Sequence, residues 1–372
     1  MAREATPDTG EPAAKKFVRL PTFLERGFLN LANEVTAKRI CCLCGTCAAF
    51  CDKIKIGEGE GGKREPIFVE DYDTVCGLCY TFCPRTFLPR EDIERRLFGT
   101  PHKRAAEDPL GVYRSVYAAR AKRVEILEQA QDGGAVTALL AYALEAGLLD
   151  CATITTSDEQ WRPKTKIART ADELLEGGGT KYTLYPSVTG VRDALNAGCE
   201  KIGFVGLPCQ IQGLRKVQTA NQPYDLGIEK VHLIIGLFCM ENFTPELLDY
   251  VAKQSRSGSV SSISKFEIRG KDLFIYDQAR QAIPLREIKD YIGDGCLVCM
   301  DYTAELADLS VGSVGSEEGW STILVRTAQG EAVLKGALDS GYLEASKIAR
   351  NELESIQKLA KRKKESNAKR RL

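Results

Sequence analysis

The segment 41–51 reads CCLCGTCAAFC, and its cysteines decide how the amino-terminal part of the chain folds. Four of them follow the spacing Cys41-x2-Cys44-x2-Cys47-x3-Cys51. With this spacing, a short loop places three thiolates around one iron-sulfur cubane and directs the fourth cysteine to a neighbouring cluster. The sequence therefore predicts that inorganic clusters fill the centre of this region.

A second cysteine motif follows, because residues 76–84 read CGLCYTFCP. The two motifs together resemble a two-cluster bacterial ferredoxin, and we expect residues 37–100 to form such a domain. The resemblance implies crossed pairing of the two motifs. The implied ligands are Cys41, Cys44, Cys47 and Cys83 for the first cluster, and Cys51, Cys76, Cys79 and residue 73 for the second.

Residue 73 is an aspartate where the ferredoxin pattern has a cysteine. Three interpretations are open: the Asp73 carboxylate is the fourth ligand, Cys42 replaces it, or the second cluster is a 3Fe-4S cluster with an open corner. We favour Asp73. A zinc site is the alternative to both clusters, since zinc accepts four thiolates. Its ligands would be Cys44, Cys47, Cys76 and Cys79, and the remaining cysteines of the two motifs would have no role.

The composition is that of a globular protein with 372 residues, 51 basic and 51 acidic side chains, and 44% hydrophobic residues. Its length predicts two or three domains.

The apolar runs are shorter than the ~18 residues of a membrane span, and the amino terminus lacks a signal-peptide pattern. We therefore expect a cytoplasmic protein, in which 14 cysteines favour metal ligation over disulfides. Only two histidines are present, which disfavours haem and Rieske centres.

The chain after residue 112 alternates β-branched apolar runs with helical patterns, which predicts an α/β or α+β core. The expected organisation is an arm (1–36), the ferredoxin-like domain, a linker (101–111), a core (112–330), and C-terminal helices with a basic tail (331–372). Predicted strands are 151–156, 201–206, 231–238, 263–268 and 322–326, and predicted helices are 134–146, 188–197, 245–253 and 331–339.

The last twelve residues, 361–372, hold seven basic side chains and one acid. We expect this tail to be solvated. Docking on an acidic partner or an anionic membrane surface is the alternative. Nucleic-acid binding is not expected, because the rest of the chain is acidic and the basic residues are terminal.

Four further cysteines of the core could form a third cluster. Cys209 follows one predicted strand, Cys239 ends another, and Cys296-x2-Cys299 lies further on. Cofactors collect at the carboxyl ends of strands in open α/β sheets, where these thiols could converge. The alternatives are a redox-active CxxC pair and two buried cysteines that only pack. Cys151 and Cys199 are interpreted as core cysteines.

Two glycine-rich segments are candidates for binding a phosphate. Gly133 and Gly134 open a predicted helix, whose first amides can receive a pyrophosphate; an ordinary helix cap is the alternative. Residues 177–182 read GGGTKY. This segment is either a glycine hinge or a place where the backbone approaches a cofactor closely. In the second case, Lys181 would supply a positive charge and Tyr182 a ring for stacking. The segment 57–63, GEGEGGK, is rejected as a P-loop and interpreted as a flexible insertion, because it lacks the required strand and Ser/Thr.

Taken together, several segments of the core resemble the family of flavoprotein β-subunits found in coenzyme F420-reducing hydrogenase and F420-dependent formate dehydrogenase. The segments are 133–140, 179–182, 206–215, 238–239, 296–301 and 307–312. With the ferredoxin-like domain fused in front, the chain resembles the input subunit of archaeal F420 dehydrogenase complexes. The resemblance implies an FAD, a third 4Fe-4S cluster, and a deazaflavin pocket over the flavin. It implies that the third cluster is held by Cys209, Cys239, Cys296 and Cys299. The implied cofactor-binding residues are Gly133, Gly134, Ala135, Val136, Thr137, Lys181, Tyr182, Gly206 and Pro208.

The implied function is oxidation of reduced coenzyme F420 by hydride transfer to FAD, followed by single-electron transfer through three clusters to other subunits. The expected partners belong to a membrane respiratory complex, which the chain would join at the cytoplasmic face. Two alternatives are open. One is the F420-linked arm of a soluble hydrogenase, formate dehydrogenase or heterodisulfide reductase assembly, and the other is a flavin-free electron-transfer adaptor. No catalytic base is required.

Overall fold

The computed structural model describes residues 27–59, 62–69, 76–99 and 109–370. These residues form thirteen strands: β1 Ile54–Glu58, β2 Arg64–Phe68, β3 Ser115–Ala121, β4 Cys151–Ser157, β5 Pro163–Ala168, β6 Ile202–Gly206, β7 Val231–Leu237, β8 Lys265–Arg269, β9 Asp272–Asp277, β10 Ala279–Pro284, β11 Leu309–Gly312, β12 Ser321–Val325 and β13 Leu343–Lys347.

Helices precede, separate and follow these strands. The α-helices are Phe28–Leu31, Thr46–Ala49, Leu78–Phe82, Arg90–Phe98, Val124–Gln129, Ala135–Glu145, Ala171–Leu175, Thr189–Asn196, Pro208–Thr219, Glu246–Gln254, Ala328–Asp339 and Arg350–Ala368. A π-helical turn, Ala32–Thr36, continues the first of them. No helix in the described ranges combines the length and hydropathy needed to cross a membrane.

A mixed eight-stranded sheet forms the core, in the order β13-β3-β12-β11-β7-β6-β4-β5. Its centre, β4-β6-β7-β11, is parallel, and its flanking pairs are antiparallel. The central strand β7 is a nearly continuous apolar run, as expected for a strand covered on both faces. The predicted α/β layering is therefore confirmed, and all five predicted strands are present.

Helices cover both faces of this sheet. Ala135–Glu145 and Ala328–Asp339 pack in one hydrophobic cluster with the strands. On the opposite face, Pro208–Thr219 packs in a second cluster that also contains Phe82 and Ile93 of the amino-terminal region. The cysteine-rich region and the core thus share one apolar interior, and their relative position is fixed by packing.

Two smaller sheets complete the fold. In the hairpin β1–β2, Gly57 and Glu58 of the glycine-rich segment pair with Glu65 and Arg64, so its first two residues are part of a strand, and the interpretation of the segment as a flexible insertion stays a prediction. Strands β8, β9 and β10 form an antiparallel sheet that packs with Glu246–Gln254 around its own apolar cluster.

The basic tail is part of a 19-residue helix, Arg350–Ala368, which we call the C-terminal helix. Ile356 and Ala360 are fully buried on its inner face, where they pack with Leu110 and Tyr302. The expectation of a solvated tail is therefore wrong for Lys363 and Asn367, which are buried, whereas most of the other described residues of the tail are exposed.

Candidate electron-transfer site

The first predicted cluster site is a cavity lined by Cys41, Cys44, Cys47 and Cys83. The loop that carries the first three cysteines turns through Gly45, which has a φ of 87°. A Cβ at Gly45 would lie 2.6 Å from the carbonyl oxygen of Pro186, so only glycine allows this approach to the core. The structure thus brings together the four thiols that the ferredoxin resemblance pairs.

The second predicted site contains three of its four expected ligands. Cys51, Cys76 and Cys79 lie close enough to influence one another electrostatically. Asp73 lies outside the described residues. The Cys42 thiol is directed towards cysteines of the other two sets, because it is within hydrogen-bonding reach of Cys209 and Cys44. This position does not favour Cys42 as a replacement ligand for the second cluster.

The third predicted site lies at the carboxyl edge of the parallel strands. Cys209 is in the first turn of the helix that follows β6, and Cys239 is the second residue after β7. Burial and the neighbouring thiols raise the pKa of Cys239 to about 11 and that of Cys296 to about 12. Cys299 acts electrostatically on both. The thiols of Cys239 and Cys296 are therefore protonated at neutral pH, and metal binding must release their protons.

The first and third sites are neighbours. A Cβ at Gly295 would lie 2.4 Å from the carbonyl oxygen of Cys41, so the loop of the core CxxC pair rests directly on the first cysteine motif. Arg39 and Asp294 form an ion pair of 2.8 Å across the same contact. The structure therefore places the third cysteine set in direct contact with the first.

Two buried cations lie beside these cysteines, and neither was predicted from the sequence. The Arg85 guanidinium is within hydrogen-bonding reach of Cys299 and acts electrostatically on Cys42 and Cys209. Lys216 donates hydrogen bonds to the carbonyl oxygens of Cys83, at 2.6 Å, and Phe87, at 2.8 Å. Lys216 lies two helical turns after Cys209, but this spacing does not relate it to Cys83, so the sequence carries no signal for the contact.

The zinc alternative requires four thiols close enough to share one ion. Within the described ranges, three ligand atoms that lie within 4.8 Å of one another occur only at Asp150, Cys151 and Cys199. This group is at the opposite, amino-terminal edge of the parallel strands. Both of its cysteines are fully buried, in keeping with the interpretation as core cysteines.

The predicted phosphate-binding helix begins as expected, at Ala135. Gly134 has a φ of 69° and offers no side-chain cap, so the amides of Ala135, Val136 and Thr137 have neither an intrahelical acceptor nor a capping group. A Cβ at Gly133 would lie 2.6 Å from backbone atoms of β3 and β12. Residue 133 is therefore a glycine because its close approach to the sheet leaves no room for a Cβ. The uncapped amides at the start of the helix are the feature that suits an anion.

The second glycine segment contacts the first. The Thr180 amide donates to the Gln131 side chain at 3.1 Å. The Lys181 ammonium donates to the carbonyl oxygens of Gly177, at 2.9 Å, and Gly178, at 2.5 Å. Burial lowers the pKa of Lys181 to about 8. The ammonium of Lys181 is therefore bound within its own glycine loop, and this loop contacts Gln131, four residues before the helix.

The remaining predicted cofactor-binding residues are placed differently. The Tyr182 hydroxyl accepts a hydrogen bond from the Ile268 amide at 3.0 Å, and its ring packs beneath the small sheet. Gly206 and Pro208 lie at the turn that presents Cys209. The structure thus joins Gly206 and Pro208 to the third cysteine set and ties Tyr182 to β8.

Comparison with known families finds two adjoining matches, both described as parts of the coenzyme F420 hydrogenase/dehydrogenase beta subunit. Residues 116–191 match the model of its amino-terminal part, and residues 199–351 match the model of its carboxyl-terminal part. Together the matches cover more than half of the chain.

Individual relatives match different lengths of the chain. The beta subunit of the coenzyme F420 hydrogenase of Methanothermobacter thermautotrophicus is 40% identical over 69% of this chain and 93% of its own length. A subunit of the F(420)H(2) dehydrogenase of Methanosarcina mazei is 30% identical over 90% of this chain and 92% of its own. The coenzyme F420-dependent sulfite reductase of Methanocaldococcus jannaschii is 33% identical over 90% of this chain and 52% of its own.

A solved structure shows the same fold. A chain of the F420-reducing NiFe hydrogenase complex from Methanosarcina barkeri superimposes with a TM-score of 0.66 at 37% identity. The match covers 70% of this chain and 92% of that one.

Proposed function

The chain belongs to the family of coenzyme F420 hydrogenase/dehydrogenase beta subunits, and from this premise we propose that it is the electron-input subunit of an F420-dependent oxidoreductase complex. It oxidises reduced coenzyme F420 by hydride transfer to FAD and passes single electrons through three iron-sulfur clusters. The observation that supports the proposal is that eleven predicted cysteine ligands lie in three groups, whose members line one cavity or act electrostatically on one another.

The flavin has a role that neither the deazaflavin nor the clusters can fill. When bound, FAD would supply a group that can take up two electrons as hydride and release them one at a time, as transfer to a cubane requires. The uncapped amides that begin the helix Ala135–Glu145 are suited to its pyrophosphate, and the half-buried Lys181, whose loop contacts Gln131 just before this helix, would supply a positive charge. The protein thus binds and orients the cofactor and excludes water.

The clusters have suitable donors at each site. Cys209, Cys239, Cys296 and Cys299 hold the cluster of the core, and Cys41, Cys44, Cys47 and Cys83 hold the adjacent one. For the second ferredoxin-like cluster, Cys51, Cys76 and Cys79 supply thiolates, and the Asp73 carboxylate supplies the fourth ligand. Contact between the Gly295 loop and the Cys41 loop gives electrons a direct path from the core into the ferredoxin-like domain.

The electron acceptor is another protein of a membrane respiratory complex. The F(420)H(2) dehydrogenase relative, whose match spans 90% of the chain, including the cysteine-rich region, supports the choice of such a dehydrogenase complex, and its position at a membrane is part of the proposal alone. A soluble hydrogenase assembly is the second candidate, and the 40% identity to a hydrogenase beta subunit supports it. That match covers 69% of the chain and leaves the rest unmatched.

Cofactor analysis and one anaerobic reaction test the proposal. Protein purified without oxygen should contain FAD and about twelve iron atoms per chain, as three cubanes require. Addition of reduced coenzyme F420 should bleach the flavin absorbance and then reduce the clusters. An unbleached flavin, or zinc in place of iron, would refute it.

A further inference from the structure

The C-terminal helix crosses the loops that carry the third cysteine set. Its Lys363 is 2% exposed. The Lys363 ammonium donates hydrogen bonds to the carbonyl oxygens of Cys239, at 2.5 Å, and Asp301, at 2.9 Å. Because Asp301 follows the core CxxC pair, this one ammonium joins the loop after β7 to the CxxC loop.

Asn367, one helical turn later, completes the contact. Its amide nitrogen donates to the carbonyl oxygens of Cys296, at 3.0 Å, and Cys299, at 2.7 Å. Three of the four cysteines in the set therefore have a backbone carbonyl bound by the C-terminal helix. The basic segment 361–372 therefore contributes Lys363 and Asn367 to the lining of this site.

The two side chains differ in charge. Asn367 is neutral and can only fix the loops. Lys363 carries a positive charge and acts electrostatically on Cys239, Cys296 and Cys299. In a buried, low-dielectric setting such a charge interacts much more strongly with its neighbours than it would in water.

The sign of the effect follows from the charge of the cluster. Reduction adds one negative charge to a cubane that is already anionic with its four thiolates. A nearby buried cation stabilises the reduced form more than the oxidised form, so it raises the reduction potential. Burial and hydrogen bonding around a cluster are known determinants of its potential.

We propose that the C-terminal helix closes the core cluster site and that Lys363 is a positioning residue whose charge raises the reduction potential of that cluster. The proposal rests on the proposed function only in taking the third cysteine set to hold a cluster. It goes beyond the family match, which ends at residue 351, because both side chains lie after that point.

The test compares four full-length proteins by anaerobic redox titration, with the core cluster followed by electron paramagnetic resonance. Lys363→Gln keeps a hydrogen-bond donor but removes the charge, whereas Lys363→Arg keeps the charge. Lys361→Gln is the matched control, because it removes the same charge from an exposed position of the same helix. Iron content and thermal unfolding are measured for each protein.

In Lys363→Gln, we expect the ratio of reduced to oxidised cluster at a fixed potential to fall about tenfold, which corresponds to 59 mV for one electron. Lys363→Arg and Lys361→Gln should titrate like the wild type. A wild-type protein without a core cluster refutes the proposed function itself. A core cluster whose potential is the same in wild type and Lys363→Gln overturns this inference alone.

Loss of the cluster from the variant is also informative. If Lys363→Gln loses iron while Lys363→Arg retains it, the positive charge is required at this site and the inference is supported. If both variants lose iron equally, Lys363 acts through packing only and the inference is overturned.

Discussion

Replacing Glu305 by glutamine should destabilise the protein, because this side chain joins three parts of the fold. Its carboxylate is fully buried. It pairs with Arg90 of the helix Arg90–Phe98 and, at 2.8 Å, with Lys364 of the C-terminal helix. The Glu305→Gln substitution keeps the shape of the side chain but leaves both cations without their shared partner.

The expected loss can be worked out from the carboxyl group. Burial alone would raise the pKa of Glu305, but the charges of Arg90 and Lys364 lower it from 4.5 to about 2. Each pKa unit corresponds to about 1.4 kcal/mol, so the ionised carboxylate contributes about 3 kcal/mol at pH 7. This agrees with the roughly 3–5 kcal/mol measured when one partner of a buried ion pair is removed.

The pH dependence has a definite sign. Because the folded pKa lies below the unfolded value, the contribution is complete above pH 4.5 and is lost as the pH falls towards 2. The wild type and Glu305→Gln should therefore differ most at neutral pH and converge in acid.

Urea unfolding at pH 7.5, followed by circular dichroism, measures the difference. Glu305→Gln should lower the free energy of unfolding by about 3 kcal/mol. Glu331→Gln is the control, since it breaks an exposed pair with Arg114 of 2.9 Å and should cost less than about 1 kcal/mol. A Glu305→Gln protein within about 1 kcal/mol of the wild type would show that the buried network does not stabilise the fold.

Three further experiments, which use four substitutions, test other parts of the structure. Cys299→Ser should lower the iron content by about four atoms per chain. Cys199→Ser, which alters a buried core cysteine, should leave the iron content unchanged. Equal iron contents in these two variants would contradict the third cluster. Burial lowers the pKa of Lys181 to about 8, so raising the pH from 7 to 9 should weaken flavin binding in the wild type but not in Lys181→Arg, as flavin fluorescence can show. Arg326→Met should lower the unfolding free energy by about 3 kcal/mol, because the buried guanidinium donates to the carbonyl oxygens of Leu110 and Val112, at 3.0 and 2.7 Å; an unchanged urea midpoint would refute this.

The sequence by itself determined the features that depend on local spacing. Cys41, Cys44 and Cys47 belong to one short loop, so their shared cavity follows from the motif. The central strand β7 is a nearly continuous apolar run, so its burial was also predictable from the local sequence. Strand β5, which reads PKTKIA, and the edge strand β13, which reads LEASK, were missed, because edge strands carry few apolar residues.

The tertiary structure alone decided the contacts between residues that are far apart in the chain. Spacing could not show that Lys216 binds the backbone at Cys83, that Arg85 faces Cys299, or that the C-terminal helix covers the third cysteine set. The sequence does not distinguish a buried lysine or arginine from a solvated one. Only the fold fixes whether such a charge faces water or a cluster of thiols, because burial depends on every element packed around it.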